Sequence, residues 1–204
     1  GAGTVPEKSP AVSTTKAPDQ TSPALTATDM ELSVDVKNVT DLPIKSKIQL
    51  AAGKSMQLKV TFLPEGVGTQ KLVFMSSDAS VVSVDSNGLI RAGKKAGSAV
   101  ITVLAESGLK KTITVCVKKK AVQKIKIIAS KKKLRAGGKT KLKAKITPGN
   151  KLVSTDVLWK SAKPDIAVVN DKGMVKAKKK GKVKITAYAT DGSGRKASIT
   201  LRIK

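Results

Sequence analysis

The chain copies itself once, and that repeat limits what it can fold into more than any other feature. Gly53-Lys54-Ser55 followed by Leu58, Val60, Phe62 and Pro64 returns as Gly138-Lys139-Thr140 followed by Leu142, Ala144, Ile146 and Pro148, with one residue fewer. Phe74, Ser76, Gly88 and Ala92 return as Trp159, Ser161, Gly173 and Ala177, the aromatic and the glycine 14 positions apart in both copies. Gly97–Thr102 then matches Gly181–Thr186, and Lys111–Val117 matches Ala197–Ile203. An interval of about 85 residues is too long for a solenoid repeat and right for a small independent domain.

Each copy reads as strands. Leu142, Ala144 and Ile146 alternate with Lys141, Lys143 and Lys145, and Val183, Ile185 and Ala187 alternate with Lys182, Lys184 and Thr186. A period of two puts one set on a core and the other in water. Asn87-Gly88 and Lys172-Gly173 supply positive φ between short strands, while Glu106-Ser107-Gly108 and Asp191-Gly192-Ser193-Gly194 are hairpin loops. About seven short strands per copy predict a two-sheet sandwich. Residues 1–30, dominated by Thr, Ser, Ala and Pro, read as a linker or stalk, since Pro stiffens the chain and little apolar surface is available to bury. The expected domains are then 31–119 and 120–204, joined by a short connection at Lys118–Val122.

These residues resemble the group 2 bacterial immunoglobulin-like domain. Trp159, Ser161, Ile166 to Val169, Asp171, Gly173, Val175, Ala177, Lys180, Gly181, Ile185 and Thr186 carry the likeness, and the first copy repeats it from Phe74. Phe74 stands where tryptophan is more usual. The resemblance implies an all-β chain of two tandem immunoglobulin-like Greek-key β-sandwiches, with Phe74 and Trp159 as core aromatics. It also implies a module of bacterial surface or secreted proteins, extracellular in location, with structural or adhesive work, and does not imply a fixed ligand or any catalysis.

The residues offer little for an enzyme. Histidine is absent, which removes the commonest general base and metal ligand. Ser-x-x-Lys matches at Ser107, Ser130 and Ser193 are expected by chance among so many lysines and lack companion motifs. Gly53-Lys54-Ser55 and Gly138-Lys139-Thr140 resemble the end of a phosphate loop, but Ile48 and Lys133 stand where its first glycine belongs. Asp85-Ser86-Asn87-Gly88 reads as a turn and not a calcium loop. No catalytic residue, cofactor or metal is expected. Cys116, without a partner thiol, falls on an outward parity beside Lys118–Lys120.

Charge is the remaining functional feature. The chain carries 40 Lys and Arg against 14 Asp and Glu, net +26, yet is 40% hydrophobic, which excludes a disordered polycation. Residues 121–204 hold 24 basic and 4 acidic side chains. The candidate polyanion-binding residues are Lys124, Lys126, Lys141, Lys143, Lys145 and Lys176 on one sheet, with Lys182 and Lys184 on the other, where Lys160, Lys196 and Arg202 also face outward. Two readings stand side by side: attraction of a flexible polyanion, or a solvated face that discourages edge association. The expected partners are an anionic cell-wall polymer, or a host or cell-surface glycan or protein. With 2% aromatic residues and four arginines, no specific nucleic-acid recognition is expected. No run approaches the ~18 apolar residues of a transmembrane span. Gly1-Ala2-Gly3 in place of an initiator Met points to a mature or trimmed chain, and a monomer is expected.

Overall fold

The computed structural model describes residues 24–36 and 39–204. Most of the Thr/Ser/Pro-rich segment therefore lies outside the described residues. Its last two positions, Asp29 and Met30, already belong to the first strand.

Two β-sandwiches follow one another. The first contains β1 (Asp29–Val36), β2 (Val39–Ile44), β3 (Lys47–Ala51), β4 (Ser55–Leu63), β5 (Leu72–Ser76), β6 (Val82–Val84), β7 (Leu89–Ala92), β8 (Gly97–Ala105) and β9 (Lys110–Lys118). The second contains β10 (Lys124–Ala129), β11 (Lys133–Leu134), β12 (Lys139–Thr147), β13 (Val157–Ser161), β14 (Ala167–Val169), β15 (Met174–Ala177), β16 (Gly181–Ala189) and β17 (Lys196–Ile203). The sheets are ordered β2-β1-β4-β7-β6 and β3-β9-β8-β5 in module 1, and β10-β12-β15-β14 and β11-β17-β16-β13 in module 2. In each module a short strand near the start pairs in parallel with the last one, β3 with β9 and β11 with β17, so the chain crosses between sheets early.

The alternation seen in the sequence is the burial pattern. Val183, Ile185 and Ala187 are enclosed while Lys182 and Lys184 face water. Fully buried Ile and Leu side chains such as Ile101, Ile185 and Leu201 each contribute about 1.5–3 kcal/mol. Module 1 has one large core cluster and a small one around Met30 and Phe62, whereas the core of module 2 divides into a cluster around Val122 and Ile146, one around Leu142 and Leu201, with Trp159 packed against both, and a small one around Leu134 and Ile203.

The shared 14-residue spacing has a packing cause. Gly88 and Gly173 both sit at φ 80°, where an L side chain is strained. A Cβ on Gly173 would lie 2.5 Å from the Leu142 carbonyl oxygen and 3.2 Å from the Trp159 ring; on Gly88 it would lie 2.9 Å from the Leu58 oxygen and 3.0 Å from Phe74. The aromatic therefore packs directly against bare backbone. Signature serines staple the same region: Ser76 Oγ donates to the Val82 carbonyl and Ser161 Oγ to that of Ala167, both at 2.6 Å.

Two expectations are corrected. The modules have nine and eight strands, because module 1 carries an extra strand, β2, between the two early strands that both modules share. The apparent one-residue deletion is a misalignment. Gly53 is equivalent to Gly137, both at positive φ, and each donates its N–H to the residue after or at the end of the β7 or β15 strand, Gly93 and Ala177 respectively. From that turn through the proline the two copies keep step.

Candidate polyanion interface and the junction between modules

On the outer face of β10-β12-β15, Lys126 lies opposite Lys145, Ile128 opposite Lys143, Lys139 opposite Lys176 and Lys141 opposite Met174. Alternate residues on one strand stand about 6.8 Å apart and strands about 4.8 Å apart. Lys124, Lys126, Lys143, Lys145 and Lys176 are exposed, and half-buried Lys141 donates through Nζ to the Lys172 carbonyl. The other sheet presents Lys160, Lys182, Lys184, Lys196 and Arg202 outward. The candidate lysines thus divide between the two faces of one sandwich. Among the described residues, no basic side chain of 121–204 forms an ion pair; three of the four pairs lie within module 1, and the fourth joins Lys45 to Asp171.

The remaining candidates are tied down locally. Thr140 Oγ1 accepts from Lys131 N and donates to Lys131 O, both at 3.0 Å, so this hydroxyl staples a strand start. Asp85 Oδ1 accepts from Asn87 N and Leu89 N at 2.9 Å, and Asn170 does the same for Lys172 and Met174, making each a turn. Cys116 is half-buried on the outer face of β9 and receives the Ser98 hydroxyl at 3.2 Å. Phe74 and Trp159 pack on the cores but are only partly buried. Trp159 also lines a cleft of about 570 Å³ between the modules, facing Leu42, Pro43 and Ile44 from β2.

That junction is the feature the sequence reading missed. Asp191, fully buried in the β16–β17 loop, accepts from Val122 N through Oδ2 at 2.7 Å and from Ser193 N through Oδ1 at 2.9 Å. Its own carbonyl accepts from Ala51 N of module 1 at 2.8 Å. One residue therefore binds the connecting segment, its own loop and the neighbouring module. Lys120 N donates to the Leu152 carbonyl, and Gly192 approaches Lys54 so closely that a Cβ would lie 2.7 Å from that side chain's Cβ. Tyr188 and Leu158, adjacent on the outer face of module 2, pack into the core cluster of module 1. Tyr188 shares the parity of Lys182 and Lys184, so an aromatic on the wet face beside the connection was the available signal. Asp156, at the cleft, has its carboxyl pushed up by burial, with Lys47 and Lys118 pulling it back down. Asp171 is held below the usual carboxylate value by its hydrogen bond from Lys45.

The sandwiches, their repeated aromatic-on-glycine packing and the parallel edge pairing define two immunoglobulin-like modules. The chain belongs to the bacterial Ig-like domain (group 2) family, whose model matches residues 33–115 and 121–200. It is 30% identical over 161 residues to an uncharacterized protein of Clostridium acetobutylicum, covering 78% of this chain and 16% of that protein. A second uncharacterized protein of that organism is 42% identical over 60 residues, 29% of this chain and 15% of the other. The chain thus spans about a sixth of the length of these relatives. Similar solved structures include the S-layer protein rSbsC(31-844), at 20% identity and TM-score 0.34, covering 88% of this chain and 28% of that one. The adhesin InvE of Yersinia pseudotuberculosis is 16% identical with TM-score 0.33, covering 89% and 60%. A C-terminal intimin fragment in complex with the intimin-binding domain of its translocated receptor is 18% identical with TM-score 0.30, covering 87% and 64%.

Proposed function

We propose that the chain is a non-catalytic structural and adhesion segment of a bacterial cell-surface or secreted protein, in which two stacked modules space and display a partner at a fixed geometry. The observation that carries this reading is the junction. A spacer must transmit orientation, and a five-residue connection would leave two sandwiches swivelling unless contacts hold them. Here the Ala51–Asp191 hydrogen bond, the Gly192–Lys54 approach and the packing of Tyr188 and Leu158 against the module 1 core oppose swivelling together. Small-angle scattering tests it: the account expects one compact arrangement fitted by a single conformation, and a profile that requires freely rotating modules would sink it.

A second reading concerns the partner. The lysine-rich second module binds an anionic cell-wall polymer or glycan, and what favours this is that none of its basic side chains is neutralised by an ion pair among the described residues. Exposed ammonium groups attract flexible polyanions through counterion release, so affinity falls steeply with salt. Co-sedimentation with purified cell wall across a salt titration checks it. Absence of binding even at low salt would end this reading and leave the spacer intact.

A further inference from the structure

At the end of module 2 where β16 begins and β17 ends, away from the β16–β17 loop at the junction, basic side chains stand on three neighbouring strands. The β11–β17 register places Lys133 opposite Arg202, and the β16–β17 register places Arg202 opposite Lys182. Leu134, Ile203 and Val183 point into the core, so Lys133, Arg202 and Lys182 stand abreast on the outer face of three neighbouring strands, all exposed. Strand spacing puts successive backbones about 4.8 Å apart. A hollow of about 310 Å³ opens there, lined by Lys132, Lys133, Lys182, Thr200 and Arg202 alone. Lys180 and Lys204 line an adjoining hollow over the same Arg202. No acidic residue lines either one.

Like charges directly opposite on adjacent strands are destabilising, and here three stand in one rung without a counterion from the protein. The chemistry that relieves the rung is an external oxyanion. Arginine offers a planar fork of donors, while lysines on either side add mobile point charges. The two oxygens of a carboxylate lie in one plane with the fork, whereas the two non-ester oxygens of a phosphodiester diverge from a tetrahedral phosphorus, so that one can meet the Arg202 fork while the other meets Lys133, Lys182 or the Thr200 hydroxyl.

We propose that this rung is a phosphate site for a linear phosphodiester polymer lacking bases, with one phosphate over Arg202 between Lys133 and Lys182. The next phosphate is met by Lys184, about 6.8 Å along β16 on the same face. The proposal rests on the polyanion reading and narrows it to a place and a ligand class. The absence of stacking aromatics from the hollow is what favours a polyol phosphate over nucleic acid.

Two charge-matched variants of the full chain decide it. One is Lys133→Gln, Lys182→Gln, Arg202→Gln; the other is Lys126→Gln, Lys143→Gln, Lys145→Gln on the opposite sheet. All six side chains are exposed, and far-UV circular dichroism of each variant is the check on folding. Binding to poly(glycerol phosphate), single-stranded DNA and polyglutamate is titrated against salt. The site expects the rung variant to lose at least about tenfold more affinity for the polyol phosphate than the other, with its salt slope reduced by about three contacts. Equal losses would overturn the site while leaving a diffuse polyanion field in place. Rung-dependent binding that is as strong for polyglutamate or DNA as for the polyol phosphate would overturn the ligand class. No binding of the wild-type chain to any of the three at low salt would overturn the polyanion reading itself.

Discussion

Replacing Asp191 with alanine tests the junction where it is most concentrated. The carboxylate is fully buried and accepts from two backbone N–H groups, of which Val122 N is itself buried, its residue 2% exposed. Hydrogen bonds to a charged acceptor contribute about 1.5–3 kcal/mol, and the Val122 donor would be left without a partner away from water. The Ser193 donor lies in a half-buried loop, where water replaces the lost oxygen at little cost. Asp191→Ala should therefore lower unfolding stability by about 2–3 kcal/mol in urea titration. Asp191→Asn, which keeps one acceptor oxygen, should lose roughly half as much. The Ala51-to-Asp191 backbone bond is not removed by either change, but the loop presenting that carbonyl is no longer anchored. Inter-module distances measured between spin labels on β5 and β17 should broaden in the alanine variant. A loss below about 0.5 kcal/mol together with an unchanged distance distribution would refute the reasoning, because it would mean the connection is held without this carboxylate.

Other consequences can be measured separately. Gly173→Ala should destabilise module 2 by several kcal/mol, since it combines a strained positive φ with a 2.5 Å approach to the Leu142 oxygen, and tryptophan fluorescence should report a displaced Trp159; a near-neutral effect would contradict the aromatic-on-glycine packing. Asp156 titrates above its unfolded value of 3.8 because burial disfavours its charge, so its ionisation penalty is absent below about pH 3.8 and appears as pH rises through the raised folded value. Asp156→Asn should therefore gain stability relative to wild type on going from pH 3.5 to pH 7 in denaturant titrations, and a difference independent of pH would contradict the burial argument. Asp171 has the opposite sign: its contribution is present above the unfolded value and lost as pH falls through its lowered folded value, so Lys45→Ala should leave a junction less sensitive to acid.

What could be read from the residues alone was whatever repeats or alternates. The two copies, their strands and the outward lysines follow from a period of two and from matched glycines, and these are local signals. β2 was not legible because Val39–Ile44 contains Asp41 and Pro43, and an edge strand tolerates both without alternating cleanly. The Gly-Lys pair falls one position later in the second copy, Gly137-Gly138-Lys139 against Gly53-Lys54-Ser55, and only the turn geometry shows that Lys54 is equivalent to Gly138. The rung of Lys133, Arg202 and Lys182 needs a two-residue parallel pairing, too short to carry a period. Asp191 looked like one more turn aspartate, since its partners Val122 and Ala51 lie 69 and 140 positions away and no local pattern points to them.

Residual dipolar couplings report module orientation without a label or a ligand and so bear on the stacked arrangement itself. The account expects couplings from β1 to β9 and from β10 to β17 to fit one alignment tensor in the orientation described, and to split into two tensors in Asp191→Ala. Two tensors of different magnitude in the wild-type chain would contradict it, leaving two modules of the family tethered but not stacked.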